Sequence, residues 1–147
     1  MGTELFGIRP AAWPADASAL RFVREAVFVR EQGVPAELEW DRRDAAAWHW
    51  LAEDTAGRPI GTARLLDTGQ VGRMAVLPPW RGRGVGRTLL HAVLEDAPRL
   101  GVRALWLNAQ CSVERFYALA GFAAEGTAFV EAGIPHRLMR YCPEESR

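Results

Sequence analysis

The chain is short of several features that would classify it quickly. Its 147 residues include two cysteines, Cys111 and Cys142. They form neither a Cys-x-x-Cys pair nor cysteine–histidine spacing, so no metal site and no disulfide framework is expected. Charge of one sign is missing too. Eighteen basic side chains face 18 acidic ones, which argues against a nucleic-acid binder. No apolar run approaches the ~18 residues of a membrane-spanning helix, and the first residues lack a basic-then-apolar signal pattern. A cytoplasmic protein without a membrane partner is therefore expected. There are no internal repeats and no low-complexity linker. What remains is an ordinary composition, 49% hydrophobic and 24% charged. It reads as a single domain over 1–147, long enough to bury about two-thirds of its unfolded surface.

The stretch that organises the chain is residues 71–90. Residues 71–77 read as a strand, stopped by Pro78 and Pro79 because proline cannot donate to a sheet ladder. Arg81-Gly82-Arg83-Gly84-Val85-Gly86 follows, then a helix-period run over 85–100 with Gly101 as its stop. A glycine-rich turn opening a helix leaves backbone N–H groups at the positive end of the dipole, a site suited to phosphate. Arg81, Arg83 and Arg87 add charge around it. The same residues also suit a merely tight connection between strand and helix. Two familiar phosphate loops do not fit. Arg87-Thr88 stands where a Walker loop needs Gly-Lys, and a dinucleotide fingerprint would place the third glycine one residue later.

Around this centre, residues 5–9 form a first strand ended by Pro10. Asp16 or Ser18 can cap a helix on which Leu20, Val23 and Val27 recur at three- and four-residue spacing. Gly33 and Pro35 end it. Residues 31–44 are acid-rich and irregular, a loop or short helix that is either functional or a solvated acidic face. Strand-like runs over 48–55 and 60–66 flank a hairpin turn at 56–59. Residues 103–109 form an apolar strand. Ser112 can cap a helix carrying Val113, Phe116, Tyr117 and Leu119, and 128–131 with 136–141 make a last hairpin. The order is βα, three strands, α, β, α, β, β. That is an α/β fold with helices on both faces of a mixed sheet.

Arg81, Gly84 and Gly86 stand as Arg-x-x-Gly-x-Gly, preceded by Met74-Ala75-Val76-Leu77-Pro78 and followed by Phe116-Tyr117-Ala118-Leu119-Ala120-Gly121-Phe122. In these segments and their order the chain resembles the GNAT superfamily of acyl-CoA-dependent N-acetyltransferases, over roughly its C-terminal two thirds. Val27-Phe28-Val29-Arg30-Glu31-Gln32, the acidic stretch, Ala109-Gln110 and Gly133-Ile134-Pro135-His136 are similar to the ElaA/YjcF-type branch. The resemblance implies a GNAT fold, a mixed and mostly antiparallel sheet of six to seven strands. It implies acetyl transfer from acetyl-CoA to a primary amine, a small molecule rather than a protein, by direct attack in a ternary complex without a metal. It also raises the expectation of a homodimer. A non-catalytic acyl-CoA-binding domain is the alternative, and an unrelated nucleotide-binding module a third reading.

By position, the amides of Arg81, Gly82, Arg83, Gly84, Val85, Gly86 and Arg87, with Thr88 behind them, would hold the pyrophosphate. Met74, Ala75 and Val76 would pair with the pantetheine arm and polarise the acetyl carbonyl. Many members carry asparagine where Gln110 stands, so Gln110 is expected to touch the cofactor. Tyr117 is the expected acid. A phenol titrating near ~10 stays protonated beside a thiol titrating near ~8.5 and can donate to the leaving thiolate. Cys111 is expected not to act as a nucleophile.

The last absence is a carboxylate on the central strand, where some members carry a glutamate. Glu31, Glu37, Asp41, His49 and His136 are the candidate bases, His136 having a suitable reference pKa near ~6.5. In the family the first helix and following loop wall the acceptor pocket. An acidic loop there suits a cationic amine, with Glu31, Glu37 and His136 binding it and Trp40, Trp48 and Trp50 as apolar walls.

Overall fold

The computed structural model describes residues 5–142. Strand β1 (Phe6–Ala11) leads into helix α1 (Ala17–Arg24), which continues as a π-helical segment over Glu25–Glu31. A short helix α2 (Ala36–Glu39) precedes β2 (Trp48–Asp54), β3 (Pro59–Leu65) and β4 (Val71–Val76). Helix α3 (Val85–Asp96), strand β5 (Trp106–Gln110), helix α4 (Glu114–Leu119) and the hairpin of β6 (Phe122–Glu131) and β7 (Ile134–Tyr141) follow.

Strands β1 to β4 pair antiparallel in chain order, while β5, β7 and β6 form a second antiparallel sheet with β7 in the middle. The sheets join where β4 begins. Gln70 bridges Trp106 in parallel, and the Trp106 N–H donates to the Gly69 carbonyl at 3.0 Å. Past that bridge no ladder joins β4 to β5 among the described residues, and the space between them becomes a cleft. Helices cover both faces, as expected. Val85, Leu89, Leu90 and Val93 of α3 pack with Trp50, Ile60 and Leu65 on one side, and Val23 and Val27 pack with Ala75 on the other. Gly61 lets α3 sit this close, since a Cβ there would stand 3.0 Å from Leu89 and 3.1 Å from Val85.

Several boundaries differ from the sequence expectation for physical reasons. Strand β1 runs through Pro10, which faces Trp50 in register. It is an edge strand, where a missing donor can face solvent at no cost. Asp16 occupies the N-cap position of α1 but makes no capping bond. Its carboxylate is taken by Arg9 at 2.9 Å and the Ala12 N–H at 2.8 Å. Ser112 lies in a tight turn, Cys111–Val113, rather than capping α4. Strand β5 starts at Trp106 instead of 103, and β6 starts at Phe122 instead of 128 because β7 pairs with it along most of its length.

Candidate active site

Strand β4 carries a bulge that prepares one wall of the cleft. Arg64 pairs with Gly72 and Thr62 with Ala75, so β4 holds one more residue than β3 across that interval. Arg73 absorbs the extra residue at φ 47°, and the Thr62 hydroxyl donates to its carbonyl at 2.9 Å. Leu77 N–H bonds the Ile60 carbonyl at 2.9 Å. By the alternation of an antiparallel ladder, Ala75 then turns its peptide groups to β3, while Met74 and Val76 turn theirs to the cleft. Of the three strand residues expected to meet a cofactor arm, Met74 turns its backbone groups there and Val76 its N–H, the Val76 carbonyl accepting from Arg81 Nε. Ala75 instead lines the cleft from a nearly buried position.

At the end of β4 the chain makes a tight turn, Pro78–Trp80, and enters α3 through Gly82 at φ 78° and Gly84 at φ 87°. Gly84 is the N-cap residue, no side chain caps the first turn, and that turn holds no acid. Thr88 folds back on the Gly84 carbonyl through its N–H (3.0 Å) and its hydroxyl (2.7 Å). The N–H groups opening α3 are thus available to an anion. A pyrophosphate fits this turn, whose positive-φ glycines no side-chain-bearing residue adopts cheaply. The Arg83 guanidinium lies over the Trp80 ring, 4.9 Å from its centre. Arg81 behaves differently. Its Nε donates to the Val76 carbonyl at 2.9 Å and its terminal nitrogens to Glu31 at 2.7 and 2.8 Å. That pair holds the Glu31 carboxyl below its usual range.

The opposite wall comes from β5, α4 and β7. Tyr117 faces the cleft with its ring edge-on to Phe116 and Phe122, and burial pushes its phenol up to about 12. Gln110, at the end of β5, exchanges amide hydrogen bonds with Gln32 at 2.9 and 3.4 Å. His136 pairs with Gln110 in register. It stacks on Phe129, and its Nδ1 bonds the Ile134 carbonyl at 2.7 Å. A carbonyl only accepts, so Nδ1 carries the proton in this bond and Nε2 is the nitrogen it leaves unused.

The chain matches the model of the acetyltransferase (GNAT) domain over residues 16–142. It belongs to the GNAT acetyltransferases. It is 37% identical over 122 residues to the N-acetyltransferase YjcF of Bacillus subtilis, covering 80% of this chain and 86% of the relative. An acyl-CoA N-acyltransferase from Pseudomonas aeruginosa superposes with a TM-score of 0.82 at 29% identity, over 93% of this chain and 99% of the other. Escherichia coli ElaA superposes with a TM-score of 0.82 at 27% identity, over 92% and 99%. The chain is therefore an acyl-CoA-dependent N-acyltransferase of the ElaA/YjcF-like branch.

In this GNAT domain the acid-rich loop is not a free acidic face. Three arginines, Arg24 and Arg64 buried and Arg73 half-buried, pair with the acids of that loop. Arg24 Nε donates to Glu39 at 2.9 Å and its Nη1 to Asp44 at 2.8 Å. Arg64 reaches Asp41 at 2.9 Å and Asp44 at 3.0 Å, and Arg73 reaches Asp41 at 3.0 Å. Burial works to raise Asp41 and Asp44, but the arginines outweigh it and both carboxyls lie below the usual range. Burial wins at Glu39, which is raised. Glu37 is exposed and does not line the cleft. His49 does not line it either. It is buried against Trp13, bonded to the Asp44 carbonyl at 2.9 Å, and burial lowers its pKa. Trp50 is core, its Nε1 donating to Asp96 at 2.8 Å, and Trp40 lies against Arg21 and Arg24. The tryptophans that do line the cleft are Trp80 and Trp106.

Residues that the sequence reading missed are Gln32, Arg64 and Arg73. The available signal was charge in apolar context. Arg64 interrupts Thr-Ala-x-Leu-Leu and Arg73 interrupts Val-Gly-x-Met-Ala-Val, positions that only a paired charge occupies.

Proposed function

We propose that this enzyme transfers an acetyl group from acetyl-CoA to a primary amine of a small molecule, by direct attack in a ternary complex. The observation that carries the reading is the convergence, on one cleft, of the uncapped start of α3, the free edge of β4, Tyr117 and His136. Bound acetyl-CoA supplies the electrophilic thioester carbonyl and the leaving thiolate. The amides of residues 82–87 and Arg87 hold its pyrophosphate, and Arg83 flanks them. Met74 and Val76 pair with its pantetheine arm, and a β4 N–H donates to the carbonyl as negative charge develops there, a contribution of ~10²–10³ in rate.

His136 Nε2 removes a proton from the ammonium form of the acceptor, directly or through one water. The amine nitrogen bonds to the carbonyl carbon as the carbon–sulfur bond breaks. The Tyr117 hydroxyl gives its proton to the departing sulfur and recovers it from solvent or from the new amide's surplus proton. Cys111 takes no part, since the Glu114 carboxylate keeps its thiol protonated. The test is thiol release from acetyl-CoA over a panel of amines. Direct attack gives intersecting initial-velocity lines when both substrates are varied. Parallel lines would instead signal an acetyl-enzyme and overturn the mechanism.

A further inference from the structure

The acceptor face of the cleft holds more positive than negative charge. Arg43, Arg64 and Arg73 line it, against Glu39 and Asp41. Both acids are already committed. Asp41 Oδ1 accepts from Arg64 at 2.9 Å and from the Arg43 N–H at 3.1 Å, and Oδ2 accepts from Arg64 at 2.9 Å and Arg73 at 3.0 Å. Glu39 Oε2 lies 2.9 Å from Arg24 and 3.0 Å from Arg73. Behind them Arg24 and Asp44 offset each other. Neither Asp41 nor Glu39 is therefore free to receive an ammonium group, and Glu131, at the β6–β7 turn, is the remaining acid near this wall among the described residues.

Donors, in contrast, are left over. Arg64 is buried, with a side chain 4% exposed, and its Nε has no hydrogen-bond partner. Arg73 donates only through Nη2, to Leu38, Glu39 and Asp41, while its Nε lies 3.0 Å from Glu39 without a hydrogen bond, and Nη1 makes none among the described residues. The Arg43 guanidinium makes no ion pair among those residues. Arg73 is also held at φ 47° in the bulge, a backbone state that costs a side-chain-bearing residue free energy and persists where surroundings impose it. A cleft with saturated acids and spare guanidinium donors receives an anion.

Resting on the acetyltransfer reading above, we propose that the acceptor is an amine that also carries an anionic group, a carboxylate by preference, which Arg73 and Arg43 bind. Phe28, Val34, Leu38 and Ile134 add apolar surface to the same cleft. The acceptor class is then a small amino acid-like molecule with an apolar body. This reverses the cationic acceptor that the loop composition suggested.

The test compares leucine, leucinamide and leucine's aminophosphonate analogue as acceptors, with N-acetyl-leucine and N-acetyl-leucinamide as ligands in calorimetry on the CoA-loaded enzyme. Leucine should exceed leucinamide by about tenfold or more in kcat/KM. N-acetyl-leucine should bind more tightly than its amide by a similar factor. Arg43→Gln, at an exposed side chain that leaves the fold intact, and Arg73→Lys should raise KM for leucine. Both should leave KM for acetyl-CoA and leucinamide unchanged. Preference for the phosphonate would assign the site to phosphate-bearing amines. Equal binding of the acid and amide, or insensitivity to both arginine variants, overturns the proposal. Tighter binding of the acid with no turnover of any amine would keep the anion site and overturn the acetyltransfer reading instead.

Discussion

Tyr117 and Asp41 are both moved from their ordinary titration, by opposite means. Tyr117 lies edge-on to Phe116 and Phe122 against the core, and desolvation pushes its phenol up to about 12. The phenol is fully protonated at neutral pH, which is the state an acid needs before it acts. Tyr117→Phe keeps the packing and removes the proton, so kcat should fall ~10²–10⁴-fold while the affinity for acetyl-CoA, measured by calorimetry, stays close to wild type. A loss of affinity with kcat preserved would make Tyr117 a cofactor contact instead. Glu31 and Arg81 show how a residue's place in a motif can mislead about its work. Arg81 opens the glycine motif, yet its nitrogens serve Val76 and Glu31. It pins the free edge of β4 to the end of the first helix.

At the scale of elements, β4, the turn and α3 were legible because their logic is local. Prolines stop a strand, glycines permit positive φ, and apolar spacing marks the helix face. The seam between the two sheets was not legible, because it depends on what lies opposite. Gly69 sits there at φ 95°, where a Cβ would stand 2.0 Å from the Ala104 carbonyl oxygen. Gly69→Ala should cost about 3 kcal/mol or more, from the clash and the backbone state together, and lower Tm by roughly 6–12 °C. Gly72, three residues on, has nothing within 4 Å of a Cβ, and Gly72→Ala should stay within about 1 kcal/mol. Thermal melts of the two variants side by side decide it, since equal losses would mean that the seam carries no special constraint. The π-helical end of the first helix is a second element that spacing could not reveal. It places Glu31 and Gln32 consecutively, one reaching Arg81 below β4 and the other Gln110 at the end of β5.

For the whole molecule, the network of Arg24, Arg64 and Arg73 with Glu39, Asp41 and Asp44 ties α1, α2, β3 and β4 together on one side of the cleft. Its pH dependence has a definite sign. Asp41 is depressed in the folded state, so its contribution is complete above the unfolded value of ~3.9 and is lost as pH falls through the folded pKa. Melting temperature followed from pH 5 to 2.5 should drop steeply below about pH 4. Asp41→Asn should start lower, because Arg64 and Arg73 lose a partner, and should fall less steeply over the same window. Identical slopes would remove Asp41 from the acid sensitivity.

By itself the sequence determined the glycine-rich strand–turn–helix, the hairpins, the order of elements and the family, all properties of short-range spacing. Tertiary structure alone decided which charges meet. Arg24 finds Asp44 across 20 residues, Arg73 finds Asp41 across 32 and Arg81 finds Glu31 across 50. A run of acids in a sequence carries no record of the arginines that fold beneath it. The charge on this side of the cleft therefore reads differently in composition and in structure, because charge at a site is a sum over neighbours in space.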